Sequence, residues 1–174
     1  MNIETALSLL NEMVEQGVME TYALGGAVAA ANYLEPMSTL GVDVFVRLRT
    51  QPGATLQDPT PIFAFLAEKG HGMEGGYAVV DGWPVQFLAP PGELGEEALR
   101  NANTVDVDGI PVRIFRAEHL AAIALETGRA KDKARLLAFL ESPDFDLAAF
   151  EDAVSRHALN GLWVQFKRDF GIAQ

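Results

Sequence analysis

The chain is 174 residues long, 49% apolar and 21% charged, a balance that supports one full core and argues against disorder. It has no cysteine, which removes disulfides, thiolate zinc sites and cysteine nucleophiles together and fits a reducing, cytoplasmic setting. With 24 acidic against 13 basic residues and a net charge of −11, an extended nucleic-acid surface is disfavoured, since it would need clustered Lys and Arg to displace counterions.

In chain order, residues 4–16 set Ala6, Leu9, Leu10 and Met13 at helical spacing, and Gly17 ends that helix. The start of the chain lacks the basic and apolar pattern of a signal peptide, and no apolar run reaches the roughly 18 residues of a membrane span. Tyr22 to Leu24 reads as a short buried strand, Ala27 to Tyr33 as a small-residue helix that Pro36 terminates, and Val42 to Leu48 as a central strand. Residues 51–60 read as a loop and Pro61 to Lys69 as a helix. Two hairpins follow, each on an Asp-Gly pair: Tyr77–Val80 with Pro84–Leu88, then Thr104–Asp106 with Ile110–Phe115. From Ala117 the pattern is helical, with segments Ala117–Thr127, Lys131–Leu140, Leu147–His157 and Gly161–Asp169 and breaks at Gly128, Pro143 and Asn160-Gly161. The reading is an α+β core over residues 1–116 with a short mixed β-sheet, then a C-terminal helical bundle over 117–174.

Two features carry chemistry. Gly25-Gly26 falls between a strand and a helix, where glycine serves either tight packing or close backbone approach to an anion. Asp43 sits inside an apolar strand, where a carboxylate needs an exposed position, a partner or a metal. Arg129 and Lys131 can reach a phosphate or simply form a solvated helix face with Asp132 pairing locally. His71, His119 and His157 are too scattered for a metal site, and His119 reads as a packing or capping residue. Trp83 and Trp163 read as core or hairpin anchors, and Ser38 has no visible base partner.

Together, Leu24-Gly25-Gly26, Glu35-Pro36 with Thr39, and Asp43 resemble the nucleotidyltransferase superfamily with the polymerase-β-like fold. The resemblance is to small bacterial members of the abortive-infection and type IV toxin–antitoxin group. It extends through Pro84-Val85-Gln86-Phe87-Leu88 and through Phe115–Leu120 and Thr127–Asp132, covering roughly residues 20–140. It implies a nucleoside triphosphate such as ATP held with Mg²⁺, and transfer of a nucleotidyl group to an acceptor hydroxyl. Under it Gly25, Gly26, Arg129 and Lys131 hold phosphates, Thr39 supports the loop, and Asp43 is the catalytic metal ligand. Two positions depart from the family pattern: Gly41 stands where a first aspartate belongs, and Gln86 where a third carboxylate belongs. The base that would deprotonate the acceptor hydroxyl is also missing unless Glu35 or Asp81 comes close in space. The alternative is a catalytically inactive nucleotide-binding or protein-interaction module of a toxin–antitoxin-like system. The acidic surface suits a cationic small molecule or a protein hydroxyl as acceptor.

Overall fold

The computed structural model describes residues 3–49 and 58–172, so the loop expected over 51–60 lies, up to residue 57, outside the described residues. The elements run α1 (Ile3–Glu15), β1 (Thr21–Leu24), α2 (Gly26–Ala30), β2 (Val42–Arg47), α3 (Thr60–Glu68), β3 (Gly72–Glu74), β4 (Tyr77–Val80) and β5 (Trp83–Leu88). They continue with α4 (Gly92–Arg100), β6 (Asn103–Val107), β7 (Ile110–Ile114), α5 (Ala117–Thr127), α6 (Ala130–Glu141), α7 (Leu147–Arg156) and α8 (Asn160–Phe170). The fold is α+β.

The strands form one mixed sheet in the order β3-β4-β5-β2-β1-β7-β6. β2 runs antiparallel to β1 and parallel to β5, and β1 runs parallel to β7. The two Asp-Gly pairs close the hairpins as expected. Asp81 and Gly82 take φ of 48° and 82°, and Asp108 and Gly109 take 52° and 84°, the double positive-φ turn that matches strand twist.

Side-chain alternation divides the sheet. One face carries Tyr22, Leu24, Val42, Val44, Val46 and Val85, all buried, and it receives the apolar stripe of α1 (Ala6, Leu7, Leu9, Leu10, Met13). Tyr22 Oη donates to Asn11 Oδ1 on α1 at 2.8 Å, which satisfies the one polar group at that seam. The other face carries Ala23, Asp43, Phe45 and Gln86, aligned by register. α4 is tied to this second face by Arg47 on Glu96 and by Arg113, which donates to Leu99 O at 2.9 Å. α5 then packs against α4, α6, α7 and α8, and an aromatic chain from Phe139 through Phe145 and Phe150 to Trp163 and Phe166 binds those helices. Among the described residues no helix is long and apolar enough to cross a membrane.

Three expectations need correction. α2 stops at Ala30, short of Tyr33, and the chain continues in tight turns. Asn160-Gly161 is not a break: the chain reverses at Ala158, with φ 56°, and Asn160 opens α8. α4 was not anticipated at all, because Gly92 and Gly95 with a following Glu pair mask a buried stripe of Leu94, Ala98 and Leu99.

Candidate functional site

The site grows from the two glycines and the β2 residues that press on them. A side chain at Gly25 would run into the ring of Phe45, which itself stacks on Phe115 with ring centroids 4.9 Å apart. A side chain at Gly26 would occupy the place of an Asp43 carboxylate oxygen, and Gly26 adopts φ 60°, a conformation that side-chain-bearing residues rarely take. Gly25 is therefore a packing glycine, whereas Gly26 lets a carboxylate lie against the turn. Gly25 N donates to Asp43 O at 2.9 Å and fixes β2 beside the turn.

Asp43 is half-buried, and its carboxyl is held above the ordinary carboxylate range. Burial is the main cause; the charges of Lys131, Arg135 and Arg129 pull the other way and Asp132 adds to the rise. No described residue donates a hydrogen bond to the Asp43 side chain. An ionised Asp43 thus costs the fold free energy, the signature of a group suited to contacts outside its own chain.

The cations whose charges act on Asp43 belong to α6 and its N-cap, Arg129. Asp132, 2% exposed, accepts from Arg129 Nε at 2.6 Å and from Arg135 Nη1 at 3.3 Å. This is the local pairing expected for Asp132. Lys131 is exposed and has no ion pair among the described residues. Arg135 is 9% exposed, and its Nε has no hydrogen-bond partner among the described residues. Arg135 belongs to the same basic run as Arg129, Lys131 and Lys133 and stands four residues beyond Lys131 on α6.

Thr39 is exposed in the loop before β2. Its Oγ1 donates to Gly41 O at 2.8 Å and accepts from Gly41 N at 3.3 Å, so it braces that loop. Gly25, Gly26, Phe45 and Asp43 meet at the turn, the charges of Lys131 and Arg129 act on Asp43, and Thr39 braces the loop before β2.

The departures from the family pattern are built into the backbone. A Cβ at Gly41 would lie 2.5 Å from Pro84 O and 3.1 Å from Pro84 Cβ, so β5 has closed onto the position where a first aspartate would stand. Gln86 is the direct register partner of Asp43 on β5. Neither proposed substitute arrives. Glu35 is exposed and is not among the charges acting on Asp43, and Asp81 sits at the β4–β5 turn, where Thr5 of α1 donates to it at 3.5 Å. No group of three or more His, Cys, Asp or Glu able to hold a metal exists among the described residues. One carboxylate beside one amide does not fit a two-ion Mg²⁺ centre, which needs clustered carboxylates.

A second polar cluster lies on α4, away from this site. The two Glu97 oxygens lie 2.9 Å from His119 Nε2 and 2.9 Å from His157 Nε2, and Arg156 donates to Glu97 Oε2 at 2.5 Å. The hydrogen bond from Arg156, with further ones from the histidines, draws the Glu97 carboxyl down to about 2. Two of the three scattered histidines thus converge, on a carboxylate rather than on a metal-ligand set. A cavity of about 600 Å³ opens beside them, lined by Glu93, Glu96, Glu97, Arg100 and His157. Two of its carboxylates are already committed, Glu96 to Arg47 and Glu97 to its cluster.

No known family's sequence pattern matches the chain, and no curated protein matches it in sequence. Solved structures do. An antigenic nucleotidyltransferase-like protein from Paracoccidioides brasiliensis superposes with a TM-score of 0.58 at 13% identity, covering 95% of this chain and 92% of that one. Looser matches are a putative nucleotidyltransferase from Thermotoga maritima (TM-score 0.43, 12% identity, 80% of this chain and 95% of that one). Also loose is ANT(2")-Ia in complex with adenylyl-2"-tobramycin (TM-score 0.46, 13% identity, 95% and 99%). The superfamily resemblance carried by Leu24-Gly25-Gly26 and Asp43 holds at the level of architecture: this chain has the nucleotidyltransferase fold.

Proposed function

We propose that this chain binds a nucleoside triphosphate between the Gly25-Gly26 turn, the start of β2 and the start of α6, and does not carry out two-ion nucleotidyl transfer. One observation carries the second half: Gly41 rests on the Pro84 carbonyl, so the first carboxylate position is closed as well as empty. Gln86 beside Asp43 supports the same conclusion. The binding half is supported by the charge layout. Arg129 and Lys131 are cations whose charges act on Asp43, which lies against Gly26 of the turn, while Thr39 holds the adjoining loop. No step of this reading passes through Mg²⁺.

The role is that of a nucleotide-responsive, partner-binding subunit, as in a toxin–antitoxin-like pair in the cytoplasm. A second reading, an active transferase acting on a cationic small molecule or a protein hydroxyl, is favoured by one feature: no described residue donates a hydrogen bond to the Asp43 carboxylate.

Calorimetric titration with ATP, paired with a transfer assay using labelled nucleoside triphosphate, separates these readings. Saturable binding without label transfer is the expected outcome. Label transfer that disappears in Asp43→Asn would establish the transferase instead, and absence of any ATP binding would remove the nucleotide reading.

A further inference from the structure

The cavity beside the Glu97 cluster is built against one face of α4. Glu93, Glu96, Glu97 and Arg100 stand at i, i+3, i+4 and i+7, so all four line the same wall, and His157 at the end of α7 joins them. The two central carboxylates are balanced within the chain, Glu96 by Arg47 and Glu97 by Arg156 with two histidines hydrogen-bonded to it. The two outer groups are not balanced: Glu93 and Arg100 are exposed, and neither has an ion pair among the described residues. We propose that this cavity of about 600 Å³ binds a short zwitterion of peptide type, with its ammonium on Glu93, an N–H on His157 and its carboxylate on Arg100.

His157 supplies the middle contact. Its side chain is only 10% exposed, and its Nε2 lies 2.9 Å from Glu97 Oε2. Glu97, drawn down to about 2, is a carboxylate that only accepts, so Nε2 carries the proton and Nδ1 of the neutral ring is left as an acceptor. Among the described residues nothing donates to that Nδ1, so a nine-tenths buried ring on the cavity wall keeps one hydrogen bond unfilled. The ring is anchored on Glu97, which stands one helical turn from Glu93 and one from Arg100. Seven residues separate the two outer charges, about 10 Å along the helix axis. An extended chain of about three residues spans that length, at about 3.3–3.6 Å each, whereas a free amino acid does not. The order anion, acceptor, cation along the wall complements ammonium, amide N–H, carboxylate along a peptide. Compensation of the helix dipole accounts for an acidic first turn and a basic last turn, but not for a buried imidazole with an unfilled acceptor between them. This inference goes beyond the nucleotide reading and does not depend on it.

The test is calorimetric titration of the full chain with triglycine, glycine, N-acetyl-triglycine and triglycine amide, using wild type, Glu93→Gln and Arg100→Gln. Both substituted side chains are exposed, so unfolding midpoints are expected to match wild type. Wild type is expected to bind triglycine saturably, with a Kd of about 1 mM, and each substitution to weaken that binding about fivefold. Glycine should bind at least about fivefold more weakly than triglycine. The blocked peptides assign the two ends: Glu93→Gln should cost nothing further for N-acetyl-triglycine, and Arg100→Gln nothing further for the amide. The nitrogen resonance of His157 Nδ1 should move when triglycine binds. Absence of saturable triglycine binding would overturn the proposal. So would binding untouched by both substitutions, glycine binding as tightly as triglycine, a further loss with either blocked peptide, or an unmoved His157 resonance.

Discussion

Gly41→Ala puts the closed first-carboxylate position to a direct measurement. The added Cβ would meet Pro84 O at 2.5 Å and Pro84 Cβ at 3.1 Å. The first distance is nearly an ångström inside ordinary van der Waals contact, and the obstacle is backbone in the strand paired to β2. Relief therefore requires β5 or the loop at Thr39 to move, and overpacking of this kind costs about 1–3 kcal/mol. The lost flexibility of the unfolded chain returns about 0.4–1 kcal/mol, leaving a net loss of roughly 1–2 kcal/mol. Gly41→Asp adds a second carboxylate on the face that already carries Asp43, so its loss should reach about 2–3 kcal/mol. For a chain of this size that corresponds to a fall in Tm of roughly 4–10 °C. Urea and thermal unfolding of both variants measure the cost. The labelled-nucleotide assay then asks whether Gly41→Asp acquires transfer, and none is expected. Gly41→Ala at or above wild-type stability would refute the closure. So would a stable Gly41→Asp that gains Mg²⁺-dependent transfer.

Two further outcomes follow from the charged groups. Asp43→Asn should stabilise the protein at neutral pH: burial raises the Asp43 carboxyl, so its ionised form costs stability that is absent below the unfolded value and grows as pH rises through the folded one. Unfolding curves of the variant and wild type should converge near pH 3 and separate toward pH 7; a destabilised variant at pH 7 would contradict the burial argument. Glu97→Gln should act in the opposite sense. A carboxyl drawn from 4.5 to about 2 corresponds to roughly 3 kcal/mol at full strength, and solvent around Arg156, 46% exposed, reduces this to about 2 kcal/mol. That contribution is complete above the unfolded pKa near 4.5 and lost as pH falls toward 2. The gap between Glu97→Gln and wild type should therefore close on acidification through that window, and a gap independent of pH would point to packing instead.

How much of this was legible in sequence divides along physical lines. The hairpins were readable because Asp81-Gly82 and Asp108-Gly109 demand positive φ at both positions, a local requirement with a local signature. α5 was readable to its last residue, because Gly128 takes the left-handed conformation that ends it. The placement of residue 86 beside Asp43 came from family order, and the parallel register of β2 on β5 agrees with it. α4 escaped because helix-weakening glycines obscured a face that only the finished sheet makes worth burying. β3 escaped because Gly72, Met73 and Glu74 are all exposed and leave no alternation to detect. The Glu97 cluster needed α4, α5 and the end of α7 to be docked first, so the spacing of His119 and His157 could not announce it.

The two halves of the candidate site were legible to different degrees for the same reason. Gly26 and Asp43 stand 17 positions apart at the two ends of a short helix-and-loop link between neighbouring strands, so local order predicts their meeting. The cations belong to α6 and its N-cap, and α6 is placed by its packing on α5, which itself packs on α4 and α2. That long-range docking decides what the aspartate is for. Beside a second carboxylate, a half-buried Asp43 would be a metal ligand; the charges that act on it here are those of Lys131, Arg135, Arg129 and Asp132. Its side chain and strand are the same in both cases. The role of the residue is set by the charges around it, so Lys131→Ala and Asp43→Asn together test the site more sharply than either substitution alone.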